Sequence, residues 1–250
     1  MTHAQGSRPI LVLQHADCEP PGAYEEELLA RAVPLERVLL DQGEDPPHDW
    51  RTYAGMIVMG GPMGAYEDSL YPWLGPEKRL IAAAVAGDLP YWGVCLGAQL
   101  LAAALGARVA PGPEAELGVL SIELTESAVL DPVFAPAPRT FEALQWHGDT
   151  FELPAGAIQL ARSKLYEQQA FVIGRAYGLQ FHLEVTTALA GEWMEVPAYV
   201  AELEELAGPD SPSRLLQQVT ATTPTSVPLA RRLFSRWLEH VVGLPRLTAD

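Results

Sequence analysis

A cysteine close to two glycines, where an apolar strand runs into a helix, is the feature that most constrains this chain. It lies in the segment Gly93-Val94-Cys95-Leu96-Gly97-Ala98-Gln99. Pro90 to Val94 is typical of a short buried strand, and Leu96 to Leu105, ended by Gly106, is typical of a helix. The segment therefore predicts the nucleophile elbow of an α/β fold, with Cys95 on the sharp turn between strand and helix.

The surroundings of Cys95 favour a reactive thiol. The nearby glycines are needed because a Cβ at either position would collide with the neighbouring backbone. The free N–H groups and the dipole of the following helix stabilise the thiolate, which is the nucleophilic form of cysteine. The alternative is a buried core cysteine, since free cysteine is among the most buried residue types.

A histidine and a carboxylate that could serve this thiol lie in Phe181-His182-Leu183-Glu184. The apolar stretch Tyr177 to Gln180 precedes them, which places both at the end of a predicted strand. A cysteine nucleophile needs a base, and the base needs a group that orients it. His182 can accept the thiol proton on one ring nitrogen while Glu184 accepts a hydrogen bond from the other, so the sequence predicts a Cys–His–Glu triad.

A buried strand that breaks into Gly60-Gly61-Pro62 can complete such a site. Acyl chemistry at a thiol builds an oxyanion, which needs two N–H donors, one from the residue after the nucleophile and one from a neighbouring loop. Leu96 and Gly61 fit these two positions. The alternative for the two glycines and the proline is a tight turn without a functional role.

A second histidine competes with His182 for the role of base. It is His147, in the segment Trp146-His147-Gly148-Asp149 that follows the strand-like stretch Thr140 to Gln145. Gly148 and Asp149 are typical of a turn, and the backbone N–H groups of a turn can bind a substrate carboxylate.

Together these segments resemble a class I glutamine amidotransferase, the cysteine-triad glutaminase domain found in GMP synthetase and carbamoyl phosphate synthetase. The resemblance runs from about Ile10 to Glu184 and rests on GGP at 60–62, GVCLGAQ at 93–99, WHGD at 146–149 and FHLE at 181–184. It implies a flavodoxin-like fold with Cys95 as nucleophile, His182 as base and acid, and Glu184 as the orienting carboxylate.

The resemblance also assigns the groups around the triad. It implies that the N–H groups of Gly61 and Leu96 form the oxyanion hole. Substrate binding then falls to Gln99, Trp146, Gly148 and Asp149. One residue departs from the family, which usually has proline where this chain has Leu183. Leucine adds an N–H and frees φ, so we expect a looser turn before Glu184.

The organisation of the chain predicts an α/β fold, in which a mostly parallel open sheet has helices on both faces. Short apolar strands alternate with helical patterns up to Leu105, and from Val119 to Phe181 the segments become strand-rich, which indicates a small antiparallel extension. Residues 1–250 are predicted to be a single domain, of which 186–250 is a helical extension packed on the rest, with Pro-rich breaks between its helices.

The C-terminal extension carries an apolar stripe at helical spacing. Such a stripe normally packs on the core, and a surface for a partner protein is the alternative. Its members are Ala230, Leu233, Phe234, Trp237, Leu238 and Val241.

The composition of the chain indicates which classes of partner, location and cofactor to expect. With 32 acidic and 16 basic residues, the formal net charge is −16, which disfavours nucleic acid and anionic membranes. No long apolar segment or signal peptide pattern occurs, so we expect a cytoplasmic location. The six histidines show no ligand-like spacing beyond the triad and there is no P-loop, so neither metal nor cofactor is expected. Oligomeric state is left open.

Three functions remain open at this stage. The first is a glutamine amidotransferase that hydrolyses the glutamine side-chain amide through a γ-glutamyl thioester and supplies ammonia to a separate synthetase or acceptor subunit. The second is a stand-alone hydrolase of another γ-glutamyl amide or peptide that uses the same triad. The third is a non-catalytic regulator that binds a small metabolite, which the retention of Cys95, His182 and Glu184 together disfavours.

Overall fold

The computed structural model describes residues 8–246 and contains one mixed sheet of nine strands. In chain order they are β1 (Ile10–Gln14), β2 (Leu35–Leu39), β3 (Gly55–Val58), β4 (Tyr91–Val94), β5 (Val109–Leu124), β6 (Thr140–Phe151), β7 (Ile158–Arg162), β8 (Ala170–Ile173) and β9 (Ala176–Leu179). Across the sheet the order is β2-β1-β3-β4-β9-β8-β7-β5-β6. The first five of these pair in parallel and the remaining pairs are antiparallel, which confirms the predicted fold class.

Within residues 8–246, seven α-helices surround this sheet. They are α1 (Ala23–Ala30), α2 (Leu74–Ala86), α3 (Leu96–Ala104), α4 (Glu126–Leu130), α5 (Thr187–Trp193), α6 (Pro197–Ala207) and α7 (Ser211–Trp237), and α7 continues into a short π-helical segment, Leu238–Val242. Among these described residues, no helix is both long and apolar enough to cross a membrane. Residues 1–7 and 247–250, which the single-domain prediction includes, lie outside the described residues.

The sheet is buried on both faces, and β1 shows how. Ile10 and Val12 pack with α1 and α7 in one hydrophobic cluster, whereas Leu11 and Leu13 pack with α2 and α3 in the other. Successive side chains of a strand point to opposite faces, so one continuous apolar strand supplies both layers of the core.

The apolar stripe of the C-terminal extension belongs to this core. All six of its members are buried, and Trp237 stacks on Phe234 beside Trp92 of β4. The stripe therefore offers no surface to a partner protein. One of the predicted Pro-rich breaks is present around Gly208, between α6 and α7, but Pro224 and Pro228 lie inside α7 and not in a break. Packing of the stripe outweighs the two backbone hydrogen bonds that these prolines remove.

The segment Trp146-His147-Gly148-Asp149 lies within β6, so the predicted turn is wrong. The pairing partner of this segment is the first half of β5, which starts ten residues before the predicted Val119 and contains two prolines and a glycine. The register shifts between Pro111, opposite Asp149, and Glu116, opposite His147. This bulge on β5 lets an irregular sequence continue the ladder and extends both strands.

The order of the central strands positions the candidate site. β3, β4 and β9 are parallel and adjacent, so their carboxyl ends lie at the same edge of the sheet. The segments that leave these ends contain Gly61, Cys95 and His182, three residues that are far apart in the sequence.

Candidate active site

Cys95 occupies a strained turn between β4 and α3. Its φ of +51° and ψ of −109° are outside the regions that side-chain-bearing residues usually adopt, and it is the N-terminal cap of α3. Strain of this kind costs about 1–3 kcal/mol and persists where the surroundings enforce it. Here the backbone around the turn is packed so closely that only glycine fits beside Cys95. A Cβ on Gly93 would lie 2.7 Å from the backbone of Gly97, and a Cβ on Gly97 would lie 2.0 Å from the carbonyl oxygen of Val58.

Gly97→Ala is expected to lower the free energy of unfolding by about 3 kcal/mol, because the new methyl group overlaps a backbone oxygen of β3. Urea unfolding measures the change. The matched control is Gly191→Ala in α5, where no atom lies within 4 Å of the added Cβ. Helix propensity alone should raise the stability of that control by up to about 1 kcal/mol. Similar changes in both variants would show that the turn does not need the glycine.

His182 and Glu184 form a buried pair beside the elbow. Nδ1 of His182 lies 2.6 Å from Oε1 of Glu184, and both side chains are almost inaccessible to solvent. The N–H of Leu183 donates to Oε2 of Glu184 at 3.0 Å. This N–H, which a proline at position 183 would lack, restrains the carboxylate, and a looser turn before Glu184 stays a prediction.

The environment of His182 favours its protonated form. Burial, the largest influence, lowers the pKa of His182, but the charge of Glu184 and hydrogen bonds with Cys95 and Glu184 together raise that pKa well above its usual value. The sulfur of Cys95 also accepts a hydrogen bond from Nε2 of Gln180 at 3.5 Å and lies 3.9 Å from the carbonyl oxygen of Trp146. An imidazolium beside this sulfur can stabilise a thiolate and then donate a proton.

His147, the rival base, is held by other groups. Its Nδ1 lies 2.9 Å from the carbonyl oxygen of Asp149, and its Nε2 lies 3.3 Å from Oε2 of Glu116. Glu116 is buried and also accepts from Nε2 of Gln169. Both ring nitrogens of His147 therefore belong to a polar network with Asp149 and Glu116, and within residues 8–246 neither of them hydrogen-bonds the sulfur of Cys95.

The backbone donors expected for an oxyanion lie on the two sides of Cys95. Leu96 is the first residue of α3, so its N–H has no partner within the helix. The N–H of Gly61 donates to no acceptor within residues 8–246. Both residues line the same cavity as the sulfur of Cys95.

This cavity, of about 290 Å³, brings together eight of the nine predicted site residues. Glu184 is the ninth and lies behind the His182 ring instead of on the wall. Gln99 is buried and donates to Oε1 of Gln180 at 3.2 Å. The eight are Gly61, Cys95, Leu96, Gln99, Trp146, Gly148, Asp149 and His182.

Four carboxylates also line the cavity, and none of its lining residues within 8–246 is a lysine or arginine. They are Glu19, Glu67, Asp149 and Glu202. Glu19 is buried and accepts a hydrogen bond from the hydroxyl of Tyr199 at 2.6 Å. Burial raises the pKa of Glu19 above its usual value, although the nearby charge of His182 and the Tyr199 hydrogen bond act in the opposite direction.

The sequence did not point to several residues of the site, among them Glu19 and Gln180. Glu19 lies in the turn-like Cys18-Glu19-Pro20-Pro21, where no pattern distinguishes it from a solvated carboxylate. Gln180 had a usable signal, because it directly precedes the Phe181-to-Glu184 segment at the end of a predicted strand. No group of three or more metal-ligating side chains occurs in the part of the chain that the structure describes.

Comparison with known proteins relates this geometry to a family. The family model for glutamine amidotransferase class-I matches residues 24–195. The glutamine amidotransferase-like protein YfeJ of Salmonella typhimurium is 32% identical over 176 residues, which cover 69% of this chain and 74% of YfeJ. The glutamine-hydrolyzing GMP synthase of Thermomicrobium roseum is 37% identical over 132 residues, 52% of this chain but only 23% of that enzyme. The chain thus spans about a quarter of the length of GMP synthase.

Solved structures agree over nearly the whole chain. A glutamine amidotransferase from Thermotoga maritima superposes with a TM-score of 0.84 at 34% identity, covering 92% of this chain and 98% of its own. A glutamine amidotransferase from Methylobacillus flagellatus gives a TM-score of 0.85 at 29% identity, covering 97% and 98% of the two chains.

Proposed function

The chain belongs to the class-I glutamine amidotransferase family of enzymes, and from this membership we propose that it hydrolyses a γ-glutamyl amide, with glutamine as the first candidate, through a thioester on Cys95. One observation carries the proposal. Cys95 on its strained turn and His182, oriented by Glu184 at 2.6 Å, face the same cavity. A nucleophile, a base and an orienting carboxylate in that arrangement are suited to acyl transfer.

In the first half of the proposed reaction, the thiolate of Cys95 attacks the γ-carbonyl carbon and the carbonyl oxygen becomes an oxyanion. The N–H groups of Gly61 and Leu96 stabilise this oxyanion. The imidazolium of His182 then gives its proton to the amide nitrogen, the C–N bond breaks, and ammonia or an amine leaves. The product is a γ-glutamyl thioester on Cys95 and a neutral His182.

In the second half, His182 accepts a proton from water as the water oxygen attacks the thioester carbon. The same two N–H groups stabilise the second oxyanion, the C–S bond breaks and glutamate leaves. Cys95 returns to the thiolate and His182 to the imidazolium, so no external acid or base is consumed. Glu184 keeps Nδ1 of His182 protonated and stabilises the imidazolium in both halves.

The lining of the cavity favours a second candidate substrate. Its described lining residues include four carboxylates and no lysine or arginine, so the cavity attracts an amine portion that carries positive charge and repels one that carries negative charge. A γ-glutamyl amide of a diamine fits this charge distribution. A separate synthetase that receives ammonia is a third possibility, supported by the GMP synthases among the relatives.

A survey of amides distinguishes these candidates. We expect ammonia release from glutamine and amine release from γ-glutamyl amides, but none from asparagine, whose carbonyl is one methylene closer to the α-carbon. If the lining selects the amine, the γ-glutamyl amide of a diamine should have a larger kcat/KM than that of an amino acid. Turnover of glutamine that rises only on addition of a synthetase would favour ammonia transfer. Absence of release from every amide, with and without a synthetase, would contradict the proposed function.

A further inference from the structure

A second histidine–glutamate pair lies directly behind the glycines of the proposed oxyanion hole. His15 follows β1 and Glu77 is on α2, and both side chains have no accessible surface. Nε2 of His15 lies 3.0 Å from Oε1 of Glu77, and the His15 ring stacks on Trp73. The other oxygen of Glu77 has no hydrogen-bond partner within residues 8–246, so His15 is the polar partner of this carboxyl.

The remaining nitrogen of His15 faces the backbone of the glycine loop. Nδ1 lies 3.0 Å from the carbonyl oxygen of Met59 and 3.0 Å from that of Gly60. Carbonyl oxygens only accept, so Nδ1 must carry a proton and donate it. The proton between Nε2 and Glu77 can belong to either group, and in both cases Nδ1 remains the donor. Burial, the largest influence, lowers the pKa of His15, but the charge and hydrogen bond of Glu77, together with the hydrogen bond to Gly60 and the charge of Glu19, raise that pKa above its usual value.

Holding the Gly60 oxygen also fixes the next N–H. The peptide between Gly60 and Gly61 is trans, so its C=O and N–H point in opposite directions. With the oxygen turned towards His15, the N–H of Gly61 is turned away from it. Gly61 lines the cavity, and its N–H donates to no acceptor among the residues that the structure describes. On the cavity side of the loop, a Cβ at Gly60 would lie 3.2 Å from the His182 ring.

A peptide between two glycines needs such a restraint. Neither residue has a Cβ to oppose rotation of the peptide plane, because glycine populates positive and negative φ almost equally. Rotation would put the Gly60 oxygen where the oxyanion must form and remove one of its two donors. Larger residues fit poorly in this loop, since a Cβ at Gly61 would lie 2.7 Å from the Cβ of His15 and one at Gly60 would displace the carboxylate of Glu19, 2.3 Å away.

We propose that His15 and Glu77 are positioning residues that hold the Gly60–Gly61 peptide with its N–H directed into the cavity, so that the oxyanion hole is formed before substrate binds. This inference rests on the proposed amide hydrolysis for its kinetic consequence. Its structural consequence, the direction of one peptide, is independent of the reaction.

Two variants of His15 separate the two contacts of its ring. The amide nitrogen of His15→Asn takes the place of Nδ1 and keeps the donor to Gly60, but it loses Glu77. The amide of His15→Gln reaches the place of Nε2 and keeps Glu77, but it leaves the Gly60 oxygen without a donor. We expect kcat for amide hydrolysis to fall by on the order of 10²–10³-fold in His15→Gln, with little change in KM, and by less than about tenfold in His15→Asn.

The stability of the two variants should follow the opposite order, with His15→Asn less stable than His15→Gln, because His15→Asn leaves the buried carboxyl of Glu77 without a partner. Thermal unfolding measures this difference in stability. If His15 had only a structural role, the less stable variant would also be the less active one. A less stable variant that is the more active one therefore indicates that His15 positions the peptide. Alkylation of Cys95 by iodoacetamide, in a Cys18→Ala background, forms no oxyanion and should proceed at the same rate in both variants and in the parent.

Crystal structures of the two variants test the direction of the Gly60–Gly61 peptide without any measurement of enzymatic activity. We expect the Gly60 oxygen to be rotated away from its present position in His15→Gln and unchanged in His15→Asn. An unchanged peptide in His15→Gln, or activity that follows stability, would overturn the inference. A parent enzyme that hydrolyses no amide would contradict the proposed function instead, and the direction of the peptide would still decide the inference. If His15→Gln does not fold, Glu77→Gln takes its place: its amide can donate to Nε2 while Nδ1 keeps its proton, so kcat should stay within about tenfold, and a loss of about 10²-fold or more with the Gly60 oxygen unmoved would overturn the inference.

Discussion

Cys95→Ala is expected to lower kcat/KM for amide hydrolysis by on the order of a thousandfold or more, because the thioester cannot form without the thiol and the members of a triad act as a unit. Steady-state release of ammonia or amine measures the loss. The fold should be unaffected, since alanine is smaller than cysteine and the glycines that shape the turn remain in place.

Cys18→Ala is the matched control, because Cys18 is the other cysteine of the chain and is free like Cys95. It is half-buried, burial raises the pKa of its thiol, and its backbone oxygen accepts a hydrogen bond from Trp193 that alanine would keep. We expect nearly full activity in this variant. Retained activity in Cys95→Ala, or comparable losses in the two variants, would contradict the assignment of the nucleophile.

His182→Ala is expected to abolish formation of the thioester, because it removes both the group that stabilises the thiolate and the proton donor for the leaving amine. His147→Ala should mainly raise KM, since His147 shapes the cavity wall from β6 while its ring nitrogens are held by Asp149 and Glu116. Single-turnover release of amine, followed at saturating substrate, separates the two effects.

Glu184→Gln tests the orienting carboxylate of the same pair. Its rate should lie between those of the parent and His182→Ala, because a hydrogen bond to Nδ1 survives while stabilisation of the imidazolium falls. The charge of Glu184 raises the pKa of His182, so its removal should move the alkaline limb of the pH–rate profile to lower pH. The reverse pattern, in which His147→Ala stops acylation and His182→Ala does not, would overturn the assignment of the base.

The parts of the site that could be predicted from the sequence are local. The elbow needs only a strand, Cys95, two glycines and a helix in succession. His182 precedes Glu184 by two residues. The residues of each motif are therefore close in the sequence, and their relative positions follow from local backbone structure. The alternation of apolar strands and helices was likewise sufficient to predict the parallel half of the sheet.

The parts that could not be predicted depend on contacts between distant segments. His15 and Glu77 are 62 residues apart, and Glu19 and Tyr199 are 180 residues apart, so neither pair forms a pattern in the sequence. Gly148 sits in a strand although glycine is typical of a turn, because β5 pairs with its neighbours His147 and Asp149 on either side of a bulge. Contacts between distant segments determine these two side-chain pairs and the strand at Gly148, and the local sequence does not indicate them.

Labelling with a chloroketone analogue of glutamine shows whether amide cleavage passes through the sulfur of Cys95. We expect one equivalent of label on the peptide that contains Cys95, loss of amide hydrolysis in proportion to labelling, and protection by glutamine. Cys95→Ala should take up no label, and Cys18→Ala should be labelled like the parent. Label on Cys18, or full hydrolysis by a protein whose Cys95 is completely labelled, would exclude Cys95 as the nucleophile.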